Sequence, residues 1–179
     1  MRSILGNSVF SRINFIICGT QKGGTTALDT YLRTHPDICM ANKKEVHYFD
    51  KDKYFKGQSP NYNKYHKYFS PSNETQIIGE ATPIYMYWNE AIARIHGYNP
   101  KIKLIIVLRN PIDRAFSHWN MERDKGREKR PFLQAIVDEK SKINSLDRIQ
   151  DKTFSYLDRG CYSVQIKNIY KYFKHDQLL

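Results

Sequence analysis

One short stretch of this chain combines glycines, a lysine and two hydroxyl side chains directly after an apolar run. Residues 13–18 read Ile-Asn-Phe-Ile-Ile-Cys and are apolar except for Asn14, and residues 19–26 read Gly-Thr-Gln-Lys-Gly-Gly-Thr-Thr. Adjacent glycines let backbone N–H groups approach an anion, because no Cβ stands in the way, and a helix start adds further donors. The stretch therefore predicts a phosphate-binding loop between a strand and a helix. The residues expected to contact the anion are Lys22, Gly23, Gly24, Thr25 and Thr26.

The order of residues in this loop differs from that of a nucleotide triphosphatase. Those enzymes need Gly-Lys-Ser/Thr, whereas Lys22 here precedes the two glycines. A glycine-rich turn without any ligand is the alternative interpretation of the loop.

Residues 108–119, Leu-Arg-Asn-Pro-Ile-Asp-Arg-Ala-Phe-Ser-His-Trp, contain a second pair of candidate anion ligands. Arg109 follows a long aliphatic run, and open α/β sheets bind ligands at the carboxyl ends of their strands. Ser117 lies two turns into the helix predicted after Asn110 and Pro111. Arginine binds phosphate through paired, charge-assisted hydrogen bonds, so Arg109 and Ser117 are candidates for one phosphate. Alternatively, Arg109 caps a helix and Ser117 bonds to the backbone.

Residues 44–50, Lys-Glu-Val-His-Tyr-Phe-Asp, contain a candidate general base. In an extended segment, alternation would place Glu45 and His47 on one face. A glutamate beside a histidine near a positive loop suits proton abstraction from a hydroxyl or an amine. A solvent-exposed polar turn is the alternative. One acid and one histidine fall short of a metal ligand set, so no metal is predicted.

The elements that must position these residues alternate between strands and helices, which predicts an α/β fold. We expect a P-loop-like, three-layer architecture with a central parallel sheet flanked by helices. Residues 41–75 are expected to form a long surface excursion with little regular structure. Strands are expected at residues 13–18, 76–80 and 101–108, and helices at 25–33, 89–95, 111–123, 131–140 and 162–173.

Composition narrows the possible partners without identifying one. Lysine and arginine outnumber acidic residues 29 to 18, giving a net charge of +11 that favours anionic partners. The three cysteines show no metal spacing, and Cys18 is expected to be buried; a cytoplasmic location is the simplest expectation. The N-terminus lacks a secretion signal, and residues 13–18 are too short to span a membrane.

Taken together, the three segments resemble the sulfotransferases that use 3′-phosphoadenosine-5′-phosphosulfate (PAPS), especially the carbohydrate branch that includes the heparan sulfate enzymes. The resemblance covers most of residues 13–173. It implies that Lys22 is the catalytic lysine of a 5′-phosphosulfate loop, and that Arg109 and Ser117 bind the 3′-phosphate. It further implies that Glu45 is the base with His47 and Asp50 as its neighbours. Two other landmarks of the family match at residues 79–83 and 159–162, which places Tyr162 near the cofactor.

The resemblance implies a function as well as a site. The expected reaction moves a sulfuryl group from PAPS to a hydroxyl, or less readily an amine, of an acceptor such as a glycan, without a metal. Thr26 departs from the pattern, since some heparan-type enzymes have an arginine there. The chains of the family also continue well past residue 179, and Leu178 and Leu179 look like the opening of a further strand. We therefore expect residues 1–179 to be a single sulfotransferase domain that lacks its C-terminal part.

Three other functions stay open at the level of sequence. A P-loop nucleotide kinase or triphosphatase would need Gly-Lys-Ser/Thr and a magnesium-binding acid after a strand. A basic nucleic-acid-binding module would use the tyrosines and lysines of residues 43–68 for base stacking and phosphate contacts, although no nucleic-acid partner is expected. The third is a non-catalytic relic that binds nucleotide poorly.

Overall fold

Four short parallel strands form the centre of the molecule. The computed structural model describes residues 12–57, 59–73, 76–143 and 150–179. The strands run in the order β2-β3-β1-β4, and every neighbouring pair is parallel. Their bounds are β1 Phe15–Gly19, β2 Ile38–Met40, β3 Ile77–Ala81 and β4 Lys103–Ile106. The predicted parallel sheet is therefore confirmed, with β2 as an added three-residue edge strand too short to be detected in the sequence.

Within the described ranges, six α-helices connect and cover these strands. The α-helices are α1 Thr25–Arg33, α2 Asn63–His66, α3 Asn89–Tyr98, α4 Pro111–Asp124, α5 Phe132–Ile143 and α6 Tyr162–Ile169. Short 3-10 turns lie at Asp52–Tyr54, Asp158–Gly160 and His175–Gln177. The start of α4 follows the expected chemistry, because the Asn110 side chain accepts a hydrogen bond from the Ile112 amide at 2.9 Å and Pro111 takes the first helical position.

The two faces of β1 bury different side chains, which makes the fold three-layered. Phe15 and Ile17 pack with Leu28 and Leu32 of α1 on one face. Ile16 and Cys18 contribute to a larger core on the opposite face, which also contains buried side chains of α3 and α6: Ala91, Ile92, Ile95 and Ile169. Continuous apolar sequence in β1 is therefore explained by cover on both sides, as expected for a parallel sheet.

Cys18 is fully buried, as predicted, and burial raises the pKa of its thiol to about 12.

The expectation that residues 41–75 form a surface excursion is wrong for their aromatic residues. Tyr48, Phe49 and Tyr65 are buried, and the rings of Tyr48 and Tyr65 lie 5.1 Å apart in a stacked arrangement. Tyr54, Tyr62 and Tyr68 pack partly buried against the same core. Burial of these rings stabilises a segment that has little regular structure of its own, because aromatic side chains contribute large apolar areas.

The last two residues run beside β4. Leu178 forms a parallel bridge with Leu104, and the Leu179 amide donates to the Leu104 carbonyl at 2.9 Å. The expected strand-like pairing of these leucines is therefore present.

Candidate active site

The loop between β1 and α1 has a backbone that only certain residues can adopt. Gly24 has a φ of 105° and Lys22 a φ of 67°, both in the left-handed region. A Cβ added to Gly23 would lie 2.3 Å from the Val107 carbonyl oxygen, so the loop needs glycine there to pack against the end of β4. The Thr20 amide donates to the same Val107 carbonyl at 3.1 Å. These contacts fix the loop at the carboxyl edge of the sheet.

A cleft of about 370 Å³ opens beside this loop and joins two of the predicted segments. Lys22, Gly24, Thr25 and Thr26 line it from the loop, and Arg109 and Ser117 line it from the region after β4. We call this space the donor cleft. Its lining residues are Gln21, Lys22, Gly24, Thr25, Thr26, Lys44, Glu45, Pro83, Arg109, Ser117, Met121 and Lys125.

Arg109 is connected directly to the loop. Its Nη1 donates to the Lys22 carbonyl oxygen at 3.3 Å, while its side chain is exposed to the cleft. Tyr162, which sequence reasoning placed near the cofactor, does not line the donor cleft; its hydroxyl donates to the Arg109 carbonyl at 2.9 Å instead. Gly23 likewise does not line the cleft and shapes the loop against Val107.

Glu45 and His47 come together as predicted, but by a different backbone route. Both residues have left-handed φ angles, 59° and 55°, so the segment is not extended and simple alternation does not apply. Glu45 Oε2 lies 3.5 Å from His47 Nε2, and His47 Nδ1 lies 3.2 Å from Asp50 Oδ2. Lys44 Nζ contacts Glu45 Oε1 at 2.9 Å. The result is a chain of alternating charges that includes the half-exposed Glu45 carboxylate and ends at Lys44.

These contacts shift the pKa values of the acids and the histidine in opposite directions. The hydrogen bond from His47 is the main cause that lowers the pKa of Glu45 to about 2, and Lys44 adds to it. Hydrogen bonds to Asp50 and Glu45 raise the pKa of His47 to about 9. Burial disfavours the charged form of Asp50, but His47 and Lys152 outweigh it and lower its pKa. At neutral pH the acids are ionised and His47 is protonated.

A second cleft, of about 270 Å³, adjoins the donor cleft. We call it the acceptor cleft. It shares Gln21, Glu45, Pro83 and Lys125 with the donor cleft. Its other lining residues are His47, Asp50, Ile84, Glu122, Arg127, Lys152 and Thr153. Glu45 therefore borders both spaces.

Several lining residues were missed in the sequence. Met121 and Lys125 follow Ser117 at intervals of four, so the helical spacing of α4 could have indicated them. Gln21 precedes Lys22 directly. Lys152 carried no signal, because it is 102 residues from Asp50, whose carboxylate it contacts at 3.2 Å.

The candidate base segment holds no metal-binding group. Across residues 12–57, 59–73, 76–143 and 150–179, no cluster of three or more His, Cys, Asp or Glu side chains is arranged for a metal ion. The expectation of a metal-free reaction stays a prediction.

Within the same described ranges, none of the helices has the length and apolarity needed to cross a membrane. The prediction that the N-terminal residues carry no secretion signal falls outside the described residues for positions 1–11.

Comparison with known proteins identifies the family. The model of the sulfotransferase domain matches residues 12–179. The chain belongs to the sulfotransferase family. This confirms the family predicted from the three motifs and does not favour the nucleotide kinase or the nucleic-acid-binding alternative.

Individual relatives agree with this result. The chain is 34% identical over 164 residues to heparan sulfate glucosamine 3-O-sulfotransferase 3A1 of Mus musculus, which covers 92% of this chain and 39% of that protein. It is 37% identical over 107 residues to the membrane-associated sulfotransferase kil1 of Dictyostelium discoideum, covering 60% of this chain and 22% of that protein. The chain thus spans less than half the length of these two curated relatives.

A solved structure shares the fold. The crystal structure of a sulfotransferase from Alicyclobacillus acidocaldarius superimposes with a TM-score of 0.80 at 28% identity, covering 95% of this chain and 72% of that chain. The α/β fold predicted from the sequence is confirmed. The catalytic and binding roles of individual side chains stay predictions.

Proposed function

We propose that this protein transfers a sulfuryl group from PAPS to a hydroxyl of a carbohydrate acceptor. One observation carries the proposal beyond family membership: the candidate phosphate ligands Lys22, Arg109 and Ser117 line one cleft together with the candidate base Glu45. Transfer of the sulfuryl group to an amine of the acceptor is the less favoured form of the same reaction.

Two groups of residues in the donor cleft suit the two phosphate positions of PAPS. Lys22, Thr25 and Thr26 offer a charge and hydroxyl donors at the start of α1, which fits a 5′-phosphosulfate. Arg109 and Ser117, which follow β4, offer a planar guanidinium and a hydroxyl that fit a 3′-phosphate. Tyr162 supports Arg109 indirectly through a hydrogen bond to its carbonyl.

The proposed chemistry is an in-line displacement at sulfur. The bond between sulfur and the bridging oxygen breaks, and its electron pair stays on that oxygen, which leaves as part of adenosine 3′,5′-bisphosphate. The acceptor oxygen forms the new bond to sulfur and gives its proton to Glu45. Lys22 and the loop amides stabilise the charge that develops on the bridging oxygen, so they act more strongly in the transition state than in the ground state.

Glu45 is suited to this task by its charge rather than by a high pKa. Because His47 and Lys44 lower its pKa to about 2, Glu45 is a carboxylate at neutral pH and need not lose a proton before it accepts one. The same low pKa makes it a weak base, so the proton transfer must accompany bond formation at sulfur.

The acceptor cleft carries side chains of both charges. Lys125, Arg127 and Lys152 line it together with the carboxylates of Glu45, Asp50 and Glu122. The cations offer contacts to an anionic carbohydrate, and one matched relative is named for heparan sulfate, an anionic glycan. Family membership supports PAPS as the donor. That the reaction needs no metal is part of the proposal, because protein cations can stabilise a sulfuryl group that carries less charge than a phosphoryl group.

Other functions find less support in the structure. Binding of nucleic acid through the tyrosines of residues 43–68 is disfavoured, because Tyr48 and Tyr65 are buried and Tyr54 and Tyr62 pack against the core. The cytoplasmic location stays a prediction that cell fractionation can check.

The proposal is tested by nucleotide binding and by transfer together. Calorimetric titration with adenosine 3′,5′-bisphosphate should show one saturable site, and labelled sulfate from PAPS should appear on desulfated heparan sulfate. Lys22→Ala should lower turnover about 10²-fold, as expected for loss of one electrostatic stabiliser. Lys140→Ala, at the exposed end of α5, is the matched control and should behave as wild type. Turnover near wild type in Lys22→Ala, or no nucleotide binding at all, would overturn the proposal.

A further inference from the structure

Gln21 occupies the boundary between the two clefts. It is one of only four residues that line both the donor cleft and the acceptor cleft in the described structure, and it directly precedes Lys22. Its side chain is half-buried. A group transferred from a donor in one cleft to an acceptor in the other must pass this boundary, so the orientation of the Gln21 amide matters.

Arg159 determines that orientation. Its Nη1 donates a hydrogen bond to Gln21 Oε1. A guanidinium has only donors, so the Gln21 amide must turn its oxygen toward Arg159. Its NH₂ group then points away from Arg159. The Gln21 NH₂ group makes no hydrogen bond to any of the described residues. Two N–H donors are therefore left for a ligand.

Arg159 is itself held firmly. Its side chain is 1% exposed, and Nη2 donates to the Lys152 carbonyl at 2.6 Å and the Asp151 carbonyl at 3.5 Å. Its guanidinium lies 4.7 Å from the centre of the Tyr87 ring. A long side chain held by these contacts loses no further conformational freedom when Gln21 binds a ligand.

The turn that carries Arg159 is anchored from α5. The Glu139 carboxylate accepts hydrogen bonds from the amides of Tyr156, Leu157 and Asp158 at 2.7, 2.7 and 3.0 Å. Three hydrogen bonds from backbone amides to one buried carboxylate hold the backbone just before Arg159 in place. The path from Glu139 to Gln21 thus consists of hydrogen bonds between buried or half-buried groups.

We propose that the Gln21 amide donates hydrogen bonds to the non-bridging oxygens of the sulfuryl group during its transfer, and that Arg159 is the residue that positions it. This inference rests on the proposed function. Lys22 stabilises the departing bridging oxygen, whereas Gln21 would bind the oxygens that stay with sulfur. A donor that is oriented before the reaction needs no reorganisation when charge shifts, which is how preorganised groups accelerate transfer.

The first test compares two nucleotides that differ by the sulfuryl group. Calorimetric titration with adenosine 3′,5′-bisphosphate and with PAPS, in the absence of acceptor, isolates contacts to the sulfuryl oxygens. In Gln21→Leu, PAPS should bind about tenfold more weakly, as expected for loss of a hydrogen bond to a charged group, while the bisphosphate binds as before. Gln134→Leu, on the exposed face of α5, is the matched control.

Gln21→Glu separates orientation from donation. The carboxylate still accepts a hydrogen bond from Arg159, but it has no N–H to offer and repels the sulfuryl oxygens. We expect it to bind PAPS at least as weakly as Gln21→Leu and to lower turnover about 10²-fold. PAPS affinity and turnover near wild type in Gln21→Glu would overturn the inference.

The positioning role of Arg159 is tested by non-additivity. Arg159→Met should weaken PAPS binding relative to bisphosphate binding in the wild-type background, and should add nothing to that selectivity in the Gln21→Leu background. Arg159→Lys, which retains a donor, should restore part of the selectivity. Equal effects of Arg159→Met in both backgrounds would overturn its role. Wild-type protein that binds neither nucleotide overturns the proposed function itself, whereas normal wild-type binding with unchanged Gln21 variants overturns only this inference.

Discussion

The residues that link Lys44 to Lys152 form a continuous chain of opposite charges. Glu45 and Asp50 each contact His47, and Lys152 contacts Asp50 at 3.2 Å. Every acid in the chain lies between two cations. The chain fixes the direction of Glu45 without neutralising it, so an ionised carboxylate is kept at the boundary of both clefts.

Replacement of Glu45 tests its role as the base. Glu45→Gln keeps the size and the hydrogen-bonding oxygen of the side chain but cannot accept a proton. We expect turnover to fall about 10²- to 10⁴-fold, the range typical for general base catalysis, while the affinity for adenosine 3′,5′-bisphosphate changes little. Steady-state kinetics and calorimetry on the same preparation measure both. A variant with normal turnover would exclude Glu45 as the base.

The charge on His47 makes stability depend on pH. Its pKa is about 9 in the folded protein against 6.5 for an unperturbed histidine, so its contribution to stability is complete below pH 6.5 and is lost as pH rises through 9. Burial raises the pKa of Glu80 to about 7. Titration of Glu80 therefore changes the stability mainly below pH 7. Between pH 7.5 and 9 the thermal midpoint of wild type should fall more than that of His47→Gln.

Circular dichroism at both pH values measures the two midpoints. Equal falls in wild type and in His47→Gln would show that the contacts from Glu45 and Asp50 do not hold a proton on His47.

Which residues could be predicted depended on how local their signal is. Lys22, Arg109 and Ser117 could be proposed as ligands because each lies in a short strand–loop–helix pattern whose chemistry is visible within about ten residues; their roles stay predictions. The proximity of Glu45 and His47 could be predicted, but the left-handed backbone that brings them together could not, because alternation applies only to an extended segment. The contact between Arg159 and Gln21 has no local signal, since the two residues are 138 positions apart.

At the scale of the elements, the β1–α1 loop has no room for a Cβ at Gly23. Gly23→Ala would bring a Cβ to 2.3 Å from a backbone oxygen, Val107 O, which cannot move without shifting the end of the sheet. We expect a loss of about 1–3 kcal/mol in the free energy of unfolding and a marked loss of bisphosphate binding.

Gly97→Ala is the matched control for that substitution. Gly97 lies in α3, and a Cβ there meets nothing within 4 Å. It should stabilise the protein by about 0.5–1 kcal/mol, since alanine favours a helix over glycine. Urea unfolding of both variants gives the comparison. Wild-type stability and binding in Gly23→Ala would show that the loop can move away from Val107 far enough to accept a Cβ.

The sequence predicted the helices and strands more accurately than it predicted the structure of residues 41–75. Helices α1 and α4 begin at the expected residues, Thr25 and Pro111, because glycine and an Asn-Pro cap mark their starts. Residues 41–75 were misjudged because their lysines suggested a surface. The tyrosines decided the outcome: burial of Tyr48 and Tyr65 against β3 and α3 is a tertiary effect that no local pattern displays.

At the scale of the whole molecule, charge should govern capture of the acceptor. A net charge of +11 and cations in the acceptor cleft favour an anionic glycan at low salt. We expect the affinity for desulfated heparan sulfate to fall steeply between 50 and 300 mM salt, roughly as the Debye length shortens from about 14 to about 6 Å. A neutral oligosaccharide of the same backbone should show little salt dependence. Equal slopes for both glycans would show that the cations do not select the acceptor.

The distances along the chain between contacting residues have a consequence for the newly synthesised protein. Gln21 meets Arg159 across 138 positions, and Asp50 meets Lys152 across 102. The ribosome must therefore release residue 159 before the boundary between the clefts can be completed, and contacts of such separation form slowly. When only Gln21 and Asp50 have left the ribosome, Arg159 and Lys152, which orient them, have not yet been synthesised or released. Donor binding is thus expected to begin late in synthesis, long after its most recognisable motif has emerged.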